Sequence, residues 1–253
     1  MELELKDKVV IVTGATGGIG MAICIEFLSE GSIVIPIFRG KEEKLQELRN
    51  WAEKNNVASE KIVPVEMDIA SEDSVNAGIA TVMKQFDRVD VLVNCAGFSL
   101  ERPFAMTEDQ EWEKIIQVNL SSTARLCRSV LKPMFRQKQG AIINVSSVLG
   151  ARYGRGNVAY ASAKAAVIRF SQALATEVGA KGIRVNVVCP GVVETKMSSA
   201  LTSRFGELLK ELTPLGKNGK PEEIARPVVF LASSKVASYI TGATLFVDGG
   251  SSI

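Results

Sequence analysis

The chain runs from Val9-Val-Ile-Val-Thr13 directly into Gly14-Ala-Thr-Gly17-Gly18-Ile-Gly20, and a helical pattern follows. A run of β-branched residues predicts a strand that is buried on both faces. Glycines after such a strand permit a tight turn and let the backbone approach a pyrophosphate, which the N–H groups of the next helix can bind. The loop is not a P-loop, because no Gly-Lys-Ser/Thr follows. We therefore predict a dinucleotide site with contacts from Gly14, Thr16, Gly17, Gly18, Ile19 and Gly20.

The strand–turn–helix pattern recurs along the whole chain. Short β-branched runs predict strands at Val9–Thr13, Ile33–Phe38, Ile62–Glu66, Val89–Asn94, Ala141–Ser146, Ile183–Cys189 and Thr244–Val247. Helical periodicity separates them, near residues 18–30, 41–55, 72–86, 108–137, 157–180 and 221–233. This alternation predicts an α/β fold, with a doubly wound parallel sheet that carries helices on both faces.

A single domain over residues 1–253 is expected, because no composition break, linker or low-complexity segment divides the chain. The stretch 191–220 differs from the rest, since glycines and prolines surround one short helical segment, Ser198–Leu212. A long excursion of this kind in a compact domain is often a lid or a binding loop. We therefore predict a substrate lid at about 191–220.

The composition narrows the class of protein. The 253 residues are 46% hydrophobic and 23% charged, as in ordinary globular proteins. A net charge of +2 gives no strong field for nucleic acid or a membrane surface. Four scattered cysteines without a C-x-x-C pair argue against a disulfide framework or a thiolate metal site. No apolar leader or membrane-spanning run is visible, and we expect a cytoplasmic protein.

Tyr160 and Lys164 are four residues apart on a predicted helix, so they share one face. The ammonium of Lys164 is expected to lower the tyrosine pKa from its reference of about 10. The sequence has no histidine, which excludes histidine triads and histidine-based metal sites, and no metal is expected. A tyrosine tuned in this way can exchange a proton with a substrate. The alternative is a chance pair on an ordinary amphipathic helix.

The end of the second predicted strand bears on the choice of cofactor. An acid at this edge binds the ribose 2′-hydroxyl of NAD, whereas an arginine accommodates the 2′-phosphate of NADP. This chain has Phe38 where the acid would stand, followed by Arg39, and Lys41 adds positive charge. The sequence therefore favours NADPH/NADP+ over NADH. The alternative is that Arg39 is only a solvated surface residue.

Seven motifs in order resemble the short-chain dehydrogenase/reductase family. They are Thr13-Gly14-x-x-x-Gly18-x-Gly20, Asp68-Ile69, Asn94-Cys95-Ala96-Gly97, Val118-Asn119-Leu120, Ser147, Tyr160-x-x-x-Lys164 and Pro190-Gly191-x-x-x-Thr195, and the closing Thr241-Gly242 and Val247-Asp248-Gly249-Gly250 also fit. The resemblance covers nearly the whole chain. It implies a Rossmann-like domain with a seven-stranded parallel sheet, usually assembled into homodimers or homotetramers.

The resemblance also implies a role for each matched residue. Tyr160 would protonate a carbonyl oxygen while hydride arrives from the nicotinamide, and Ser147 would hydrogen-bond that oxygen. Lys164 would hold the nicotinamide ribose, and Asn119 would support a water chain to solvent. The remaining residues implied to line the cofactor are Asp68 and Ile69 at the adenine, Asn94, Ala96 and Gly97 along its length, and Pro190, Gly191, Val193 and Thr195 at the nicotinamide end.

Physical arguments agree with several of these roles. Ser147 follows a buried strand, at the carboxyl edge where ligands bind in open α/β sheets. A turn-forming role for Ser147 and a polar kink at Asn119 are the structural alternatives. Ser146, the residue before Ser147, is expected to have a structural role.

Two positions depart from the usual pattern of the family. Cys95 replaces an asparagine that is common there, and its small, weakly polar side chain should preserve the packing. Gly17 replaces an arginine that NADP-dependent members often carry in the glycine loop. This second difference removes one expected contact to the 2′-phosphate.

Within the family, residues 118–195 most resemble the 3-oxoacyl-[acyl-carrier-protein] reductases, which use two basic positions beside the cleft to meet the acidic carrier protein. The matching residues here are Lys138 and Lys181, although surface lysines before a strand are common. The loop Phe98-Ser-Leu-Glu101 differs from those reductases. Reduction of a small ketone, sugar or steroid therefore remains an alternative to 3-oxoacyl thioesters, and a non-catalytic NADP-binding sensor is a remote one.

Overall fold

A computed structural model describes residues 2–40, 42–152 and 154–253. Lys41, one of the predicted positive charges, lies outside the described residues. The strands of the sheet are β1 (Val9–Val12), β2 (Ile33–Phe38), β3 (Val65–Glu66), β4 (Val91–Asn94), β5 (Gly140–Val145), β6 (Ile183–Pro190) and β7 (Thr244–Val247). They form one seven-stranded sheet in the order β3-β2-β1-β4-β5-β6-β7, and every neighbouring pair is parallel. The predicted fold class is confirmed.

Helices cover both faces of the sheet. They are α1 (Gly18–Ser29), α2 (Gln46–Lys54), α3 (Glu72–Phe86), α4 (Asp109–Ile116), α5 (Ser122–Gln137), α6 (Val158–Val178), α7 (Ser199–Glu211) and α8 (Pro221–Ala232). Apolar residues of α1, α2 and α8 pack in one core, and those of α3, α5 and α6 pack in a second core. β1 serves both, because Val10 and Val12 enter the first core while Val9 and Ile11 enter the second.

Several elements differ from their predicted extents, and β3 and the helix over 108–137 show two of these differences. β3 begins at Val65 rather than Ile62, and only an isolated bridge joins Ile62 to Val34. The N–H groups that bond to β2 include those of Val63 and Met67, so position 64 faces away from β2 and can be a proline. The helix expected over 108–137 contains a π-helical turn at Gln117–Ser121, between α4 and α5.

The π-helical turn has an identifiable cause. The side chain of Asn119 donates to the carbonyl of Ile115 at 2.9 Å, and Ser122 Oγ donates to the carbonyl of Gln117 at 2.8 Å. Polar side chains that bond to helix carbonyls in this way compete with the regular backbone ladder. The extra residue in the turn directs Asn119 into the protein, where its side chain is fully buried.

The two ends of the excursion over residues 191–220 are hydrogen-bonded to each other. Glu194 N donates to the carbonyl of Gly219, and Gly219 N donates to that of Val192, each at 2.9 Å. α7 lies between these ends and is broken at Phe205, whose φ is −131°. The excursion is therefore tied at its base and carries its own helix.

Candidate active site

The loop Gly14–Gly20 has a shape that requires glycine. Gly14 has φ +69°, and a Cβ there would lie 2.9 Å from the backbone of Ala96. A Cβ on Gly20 would lie 2.1 Å from the carbonyl oxygen of Gly14. No side chain caps α1, because its N-cap is Gly17, so the first N–H groups of the helix are free to bind an anion. Thr16, Gly17 and Gly18 are exposed at this point, and Ile19 is half-buried.

The carboxyl ends of the strands bring the other predicted residues to this loop. A Cβ on Gly18 would lie 2.9 Å from Thr195 Cγ2, so the start of the excursion over residues 191–220 contacts the glycine loop. Gly97 lies beside Asn119 and Lys164, since a Cβ there would be 3.1 Å from Asn119 Oδ1 and 3.7 Å from Lys164 Nζ. Gly191 packs against Asp248, and Val193, two residues further along the chain, is buried. Pro190 is the last residue of β6.

Arg39 and Asp68 meet beyond the ends of β2 and β3. Arg39 Nη1 lies 3.8 Å from Asp68 Oδ2, and three quarters of the arginine side chain is exposed. Asp68 Oδ1 also accepts the N–H of Ala70 at 3.0 Å. The carbonyl of Ile69 accepts a hydrogen bond from Arg125 at 3.0 Å. This edge therefore combines an exposed cation with a carboxylate that is held by a backbone N–H.

Asn119 is held by three hydrogen bonds. Its Nδ2 donates to the carbonyls of Phe98 at 2.7 Å and Ile115 at 2.9 Å, and its Oδ1 accepts the N–H of Phe98 at 3.3 Å. The asparagine thus fixes the loop that follows β4 to the helix pair α4–α5. The alternative predicted from the sequence, a polar kink in the helix, is also observed. The side chain of Asn119 donates to the Ile115 carbonyl and so disturbs the regular helix.

Ser147 lies close enough to Tyr160 for its hydroxyl to lower the pKa of the phenol. Ser147 follows β5 with an extended backbone, and its Oγ accepts the N–H of Leu149 at 3.1 Å. Its hydroxyl proton consequently remains available to another oxygen. Tyr160 is half-buried in the first turn of α6.

The structure corrects the expected effect of Lys164 on Tyr160. Burial, the larger effect, raises the pKa of Tyr160 to about 12, and the Ser147 hydroxyl opposes it. Lys164 Nζ lies 5.7 Å from the centre of the tyrosine ring and donates instead to the carbonyl of Val145 at 2.9 Å. The expectation that Lys164 lowers the tyrosine pKa is wrong for this arrangement. Tyr160 keeps its proton at neutral pH.

Lys164 is itself strongly affected by its surroundings. Only 4% of the residue is exposed, and burial lowers its pKa to about 8, while the thiols of Cys95 and Cys189 act in the opposite direction. At neutral pH the side chain is therefore mostly an ammonium group. It can donate three hydrogen bonds, one of which Val145 accepts.

The side chain of Asn94 is turned into the core. It is buried and donates to Asn144 Oδ1 at 2.8 Å and to the Cys127 sulfur at 3.4 Å. The side chain therefore joins β4 to β5 and α5, while the backbone of Asn94 leads into the loop of Ala96 and Gly97. Thr13, by contrast, has a part that the sequence did not reveal. Its Oγ1 accepts the N–H groups of Cys95 and Ala96, both at 3.1 Å, and so positions the loop after β4.

Lys138 and Lys181 lie away from the catalytic edge of their own chain. They precede β5 and β6, whereas Ser147 and Pro190 stand at the opposite ends of these strands. Their loops touch, because a Cβ on Gly182 would lie 2.2 Å from the carbonyl oxygen of Lys138. Both lysines are exposed. They form a basic pair as expected, but within one chain the pair is not beside the cleft.

Residues 2–40, 42–152 and 154–253 contain neither a cluster of metal ligands nor a membrane-spanning helix. No cluster of three or more Cys, Asp or Glu in these ranges is arranged to hold a metal ion. No helix in the same ranges is both long and apolar enough to cross a bilayer.

Comparison with known proteins agrees with this geometry. A family model described as "Enoyl-(Acyl carrier protein) reductase" matches residues 14–252. The "3-oxoacyl-[acyl-carrier-protein] reductase FabG" of Aquifex aeolicus (strain VF5) is 39% identical and covers 99% of both chains. The protein of the same name from Escherichia coli (strain K12) is 37% identical and covers 98% of both chains. "Short-chain reductase protein NovJ" of Streptomyces niveus is 39% identical, covering 97% of this chain and 94% of its own.

Structural comparison gives the same result. The structure titled "Crystal structure of gox2181" superposes with a TM-score of 0.93 at 32% identity, over 98% of this chain and 97% of that one. Hydride chemistry at a carbonyl needs a nucleotide site, an oxygen ligand and a proton donor at one point, and the glycine loop and Ser147 both follow strands at the carboxyl edge of the sheet. The protein is an NAD(P)-dependent oxidoreductase acting on CH–OH and C=O groups. The chain belongs to the short-chain dehydrogenase/reductase family.

Proposed function

We propose that this protein is an NADPH-dependent reductase that converts 3-oxoacyl thioesters into 3-hydroxyacyl thioesters in fatty-acid or polyketide synthesis. The observation that carries the proposal is the contact of Ser147 with a protonated Tyr160, one turn from the buried ammonium of Lys164. Relatives that are 37–39% identical over nearly the full length are named as 3-oxoacyl reductases, which supports the choice of substrate.

The residues present fit a dinucleotide. The uncapped start of α1 and the tight turn at Gly14 form a cradle for a pyrophosphate, and any side chain at Gly20 would close it. In this proposal Arg39 and Asp68 bind the adenosine half, and the rest of the cofactor is lined by Ala96, Gly97, Gly191, Val193 and Thr195. When bound, the nicotinamide supplies a hydride to the carbonyl carbon of the substrate.

The protein's own side chains supply the proton that reduction of the carbonyl requires. Tyr160 donates its phenolic proton to the carbonyl oxygen, and a pKa of about 12 keeps that proton in place before reaction. Ser147 donates a hydrogen bond to the same oxygen, because its acceptor side is already used by Leu149 N. The oxygen is thus held by two donors as negative charge develops on it.

Lys164 has a positioning and a proton-supply role in this proposal. One of its three N–H groups is held by Val145, and the other two can reach the ribose hydroxyls. Asn119 lies on the other side of Gly97 and fixes the loop at Phe98. A water chain along Gly97 between Asn119 and Lys164 would return a proton to the site after each turnover.

The choice of NADPH rests on Arg39. An exposed guanidinium that no carboxylate contacts within 3.5 Å can turn toward a 2′-phosphate and bind it with two N–H groups. Replacing Arg39 with Ala should lower kcat/KM for NADPH about 10- to 100-fold, the usual strength of one charge-assisted contact, and leave kcat/KM for NADH unchanged. Steady-state kinetics with both cofactors measures this ratio.

Arg49 provides a matched control for the arginine variant. It is also an exposed arginine paired with a carboxylate, Glu42, but it lies on α2. Arg49→Ala should leave the NADPH/NADH ratio at the wild-type value. An Arg39→Ala protein with an unchanged ratio would show that the 2′-phosphate is recognised elsewhere.

The proposal includes a cytoplasmic homodimer or homotetramer with a lid. β7 is an edge strand whose Leu245 and Phe246 are each 37% exposed, and an apolar edge of this kind favours pairing with a second copy. The four cysteines are free, which suits a reducing compartment. Residues 191–220, as part of a single domain 1–253, would cover the bound substrate.

Acyl carrier protein is proposed as the macromolecular partner. Lys138 and Lys181 present two adjacent positive charges that suit an acidic surface. Because they stand at the amino ends of β5 and β6, a carrier docked there would deliver its substrate to the cleft of a neighbouring subunit rather than to the cleft of the same chain. This geometry links the carrier proposal to the oligomer.

The substrate class can be tested with one panel of compounds. We expect NADPH oxidation with acetoacetyl thioesters, a lower KM for the carrier-bound form than for the free thioester, and no reaction with 2-enoyl thioesters. Small ketones, sugars and steroids should react slowly. Turnover of these compounds with no activity on any acyl thioester would favour the ketone, sugar or steroid alternative. Cofactor binding without any turnover would indicate a sensor.

A further inference from the structure

Two successive residues of β5 and the loop after it hold the catalytic lysine to the sheet at two of its atoms. Val145 accepts the side-chain Nζ of Lys164 at 2.9 Å through its carbonyl. Ser146 donates its hydroxyl to the backbone carbonyl of the same lysine at 2.8 Å. Lys164 is in the middle of α6, so its carbonyl already accepts within the helix, and the serine adds a second, external donor.

The Ser146 hydroxyl stands where three functional segments meet. Ser146 N donates to the carbonyl of Val188 at 2.8 Å, so the residue is joined to β6 as well. Gly150, from the loop after Ser147, approaches the same point. A Cβ on Gly150 would lie 2.8 Å from Lys164 C and 3.0 Å from Ser146 Oγ. No side chain fits between the loop and the helix, so their separation is set by this contact.

The hydrogen bond between Ser146 and Lys164 lies close in the chain to two residues of the proposed active site. Ser147 directly follows Ser146, and Tyr160 lies one helical turn before Lys164 on α6. A hydrogen bond from Ser146 to Lys164 therefore fixes the distance between the strand end that carries Ser147 and the helix that carries Tyr160. The sequence predicted only a structural role for Ser146.

We propose that Ser146 is a positioning residue for the reaction: its hydrogen bond to the Lys164 carbonyl sets the register of α6 against Ser147. The inference rests on the proposed roles of Ser147, Tyr160 and Lys164. Without the hydroxyl, α6 is free to shift against β5, and Tyr160 no longer shares the substrate oxygen with Ser147 at the right distance. Displacements of about 1 Å at a reacting group can reduce the rate about 100-fold.

Ser146→Ala is the direct test. We expect kcat to fall about 10- to 100-fold, while the dissociation constant of NADPH changes much less, because the glycine loop, Arg39 and the bond from Lys164 Nζ to Val145 are unchanged. Ser146→Thr keeps the hydroxyl and should recover most of kcat, even if its extra methyl group lowers the melting temperature. Rates are measured well below the melting temperature of every variant.

Ser32→Ala is the matched control. Ser32 is also buried, and its hydroxyl donates to a backbone carbonyl of another segment, Leu5, at the same 2.8 Å, but it lies at the start of β2, away from the site. It should lower the melting temperature without lowering kcat. An unchanged kcat in Ser146→Ala, or an equal fall in both alanine variants, would overturn the proposal. If the wild type reduces no acyl thioester, the proposed substrate fails, and the same variants are compared on whichever carbonyl compound it does reduce.

Discussion

Tyr160→Phe should lower kcat about 10²- to 10⁴-fold, which is the contribution of a positioned general acid, while NADPH binds as in the wild type. The variant keeps the ring that packs near Lys164 and removes only the hydroxyl. With the phenol absent, Ser147 remains as a hydrogen-bond donor to the carbonyl oxygen, but no group at that point can transfer a proton. Cofactor affinity by fluorescence titration and kcat by NADPH oxidation measure the two effects separately.

Tyr239→Phe is the control for this variant, because Tyr239 is fully exposed and lies after α8. It should have wild-type kinetics. Full activity in Tyr160→Phe would show that another group donates the proton. A parallel loss of NADPH binding would instead show that the hydroxyl serves mainly to hold the cofactor.

Gly20→Ala should abolish measurable NADPH binding. The new methyl group would stand 2.1 Å from the carbonyl oxygen of Gly14, a backbone atom that cannot move without opening the loop. Overpacking of this kind also costs about 1–3 kcal/mol of stability. Isothermal titration with NADPH and a thermal melt of the free protein separate loss of the site from loss of the fold.

Gly179→Ala is the comparison for the glycine variant. Gly179 follows α6 with a helical backbone, and no atom lies within 4 Å of the position of its Cβ. Its substitution should leave NADPH affinity unchanged. If Gly20→Ala binds NADPH like the wild type, the loop is not the pyrophosphate site that its shape indicates.

The sheet could be predicted from the sequence because the patterns that indicate strands and turns are local. Continuous apolar runs such as Val9–Val12 predict parallel strands directly, and glycines at a strand end predict the turn that follows. The seven strands, and the return of Tyr160 to the edge that carries Ser147, therefore agree with expectation. Asn119 shows the limit, because it interrupts a helix through hydrogen bonding that periodicity does not detect.

The features that the sequence missed depend on the packing of distant segments. The direction of the Lys164 ammonium is set by the Val145 carbonyl, and the burial of Tyr160 outweighs any effect of that ammonium on its pKa. Asn94 points into the core because Asn144 and Cys127 offer partners there. Ser146 gains its contact with Lys164 only when β5 and α6 are packed together.

The placement of Lys138 and Lys181 also depends on the packing of distant segments. Lys138 and Lys181 are adjacent because β5 and β6 are neighbours in a parallel sheet, so the loops that lead into them start at one edge. Their distance from the cleft follows from the length of the strands, which rise about 3.3 Å per residue. Sequence spacing alone does not distinguish the two edges.

The most direct test of the account follows one deuterium atom. The wild-type protein is incubated with acetoacetyl thioester and NADPH that carries deuterium at the transferable position, and the product is analysed by mass spectrometry. The account predicts a 3-hydroxybutyryl thioester with one deuterium on carbon 3 and an exchangeable proton on its oxygen. Absence of the hydroxy product, or a product without deuterium on that carbon, would contradict it.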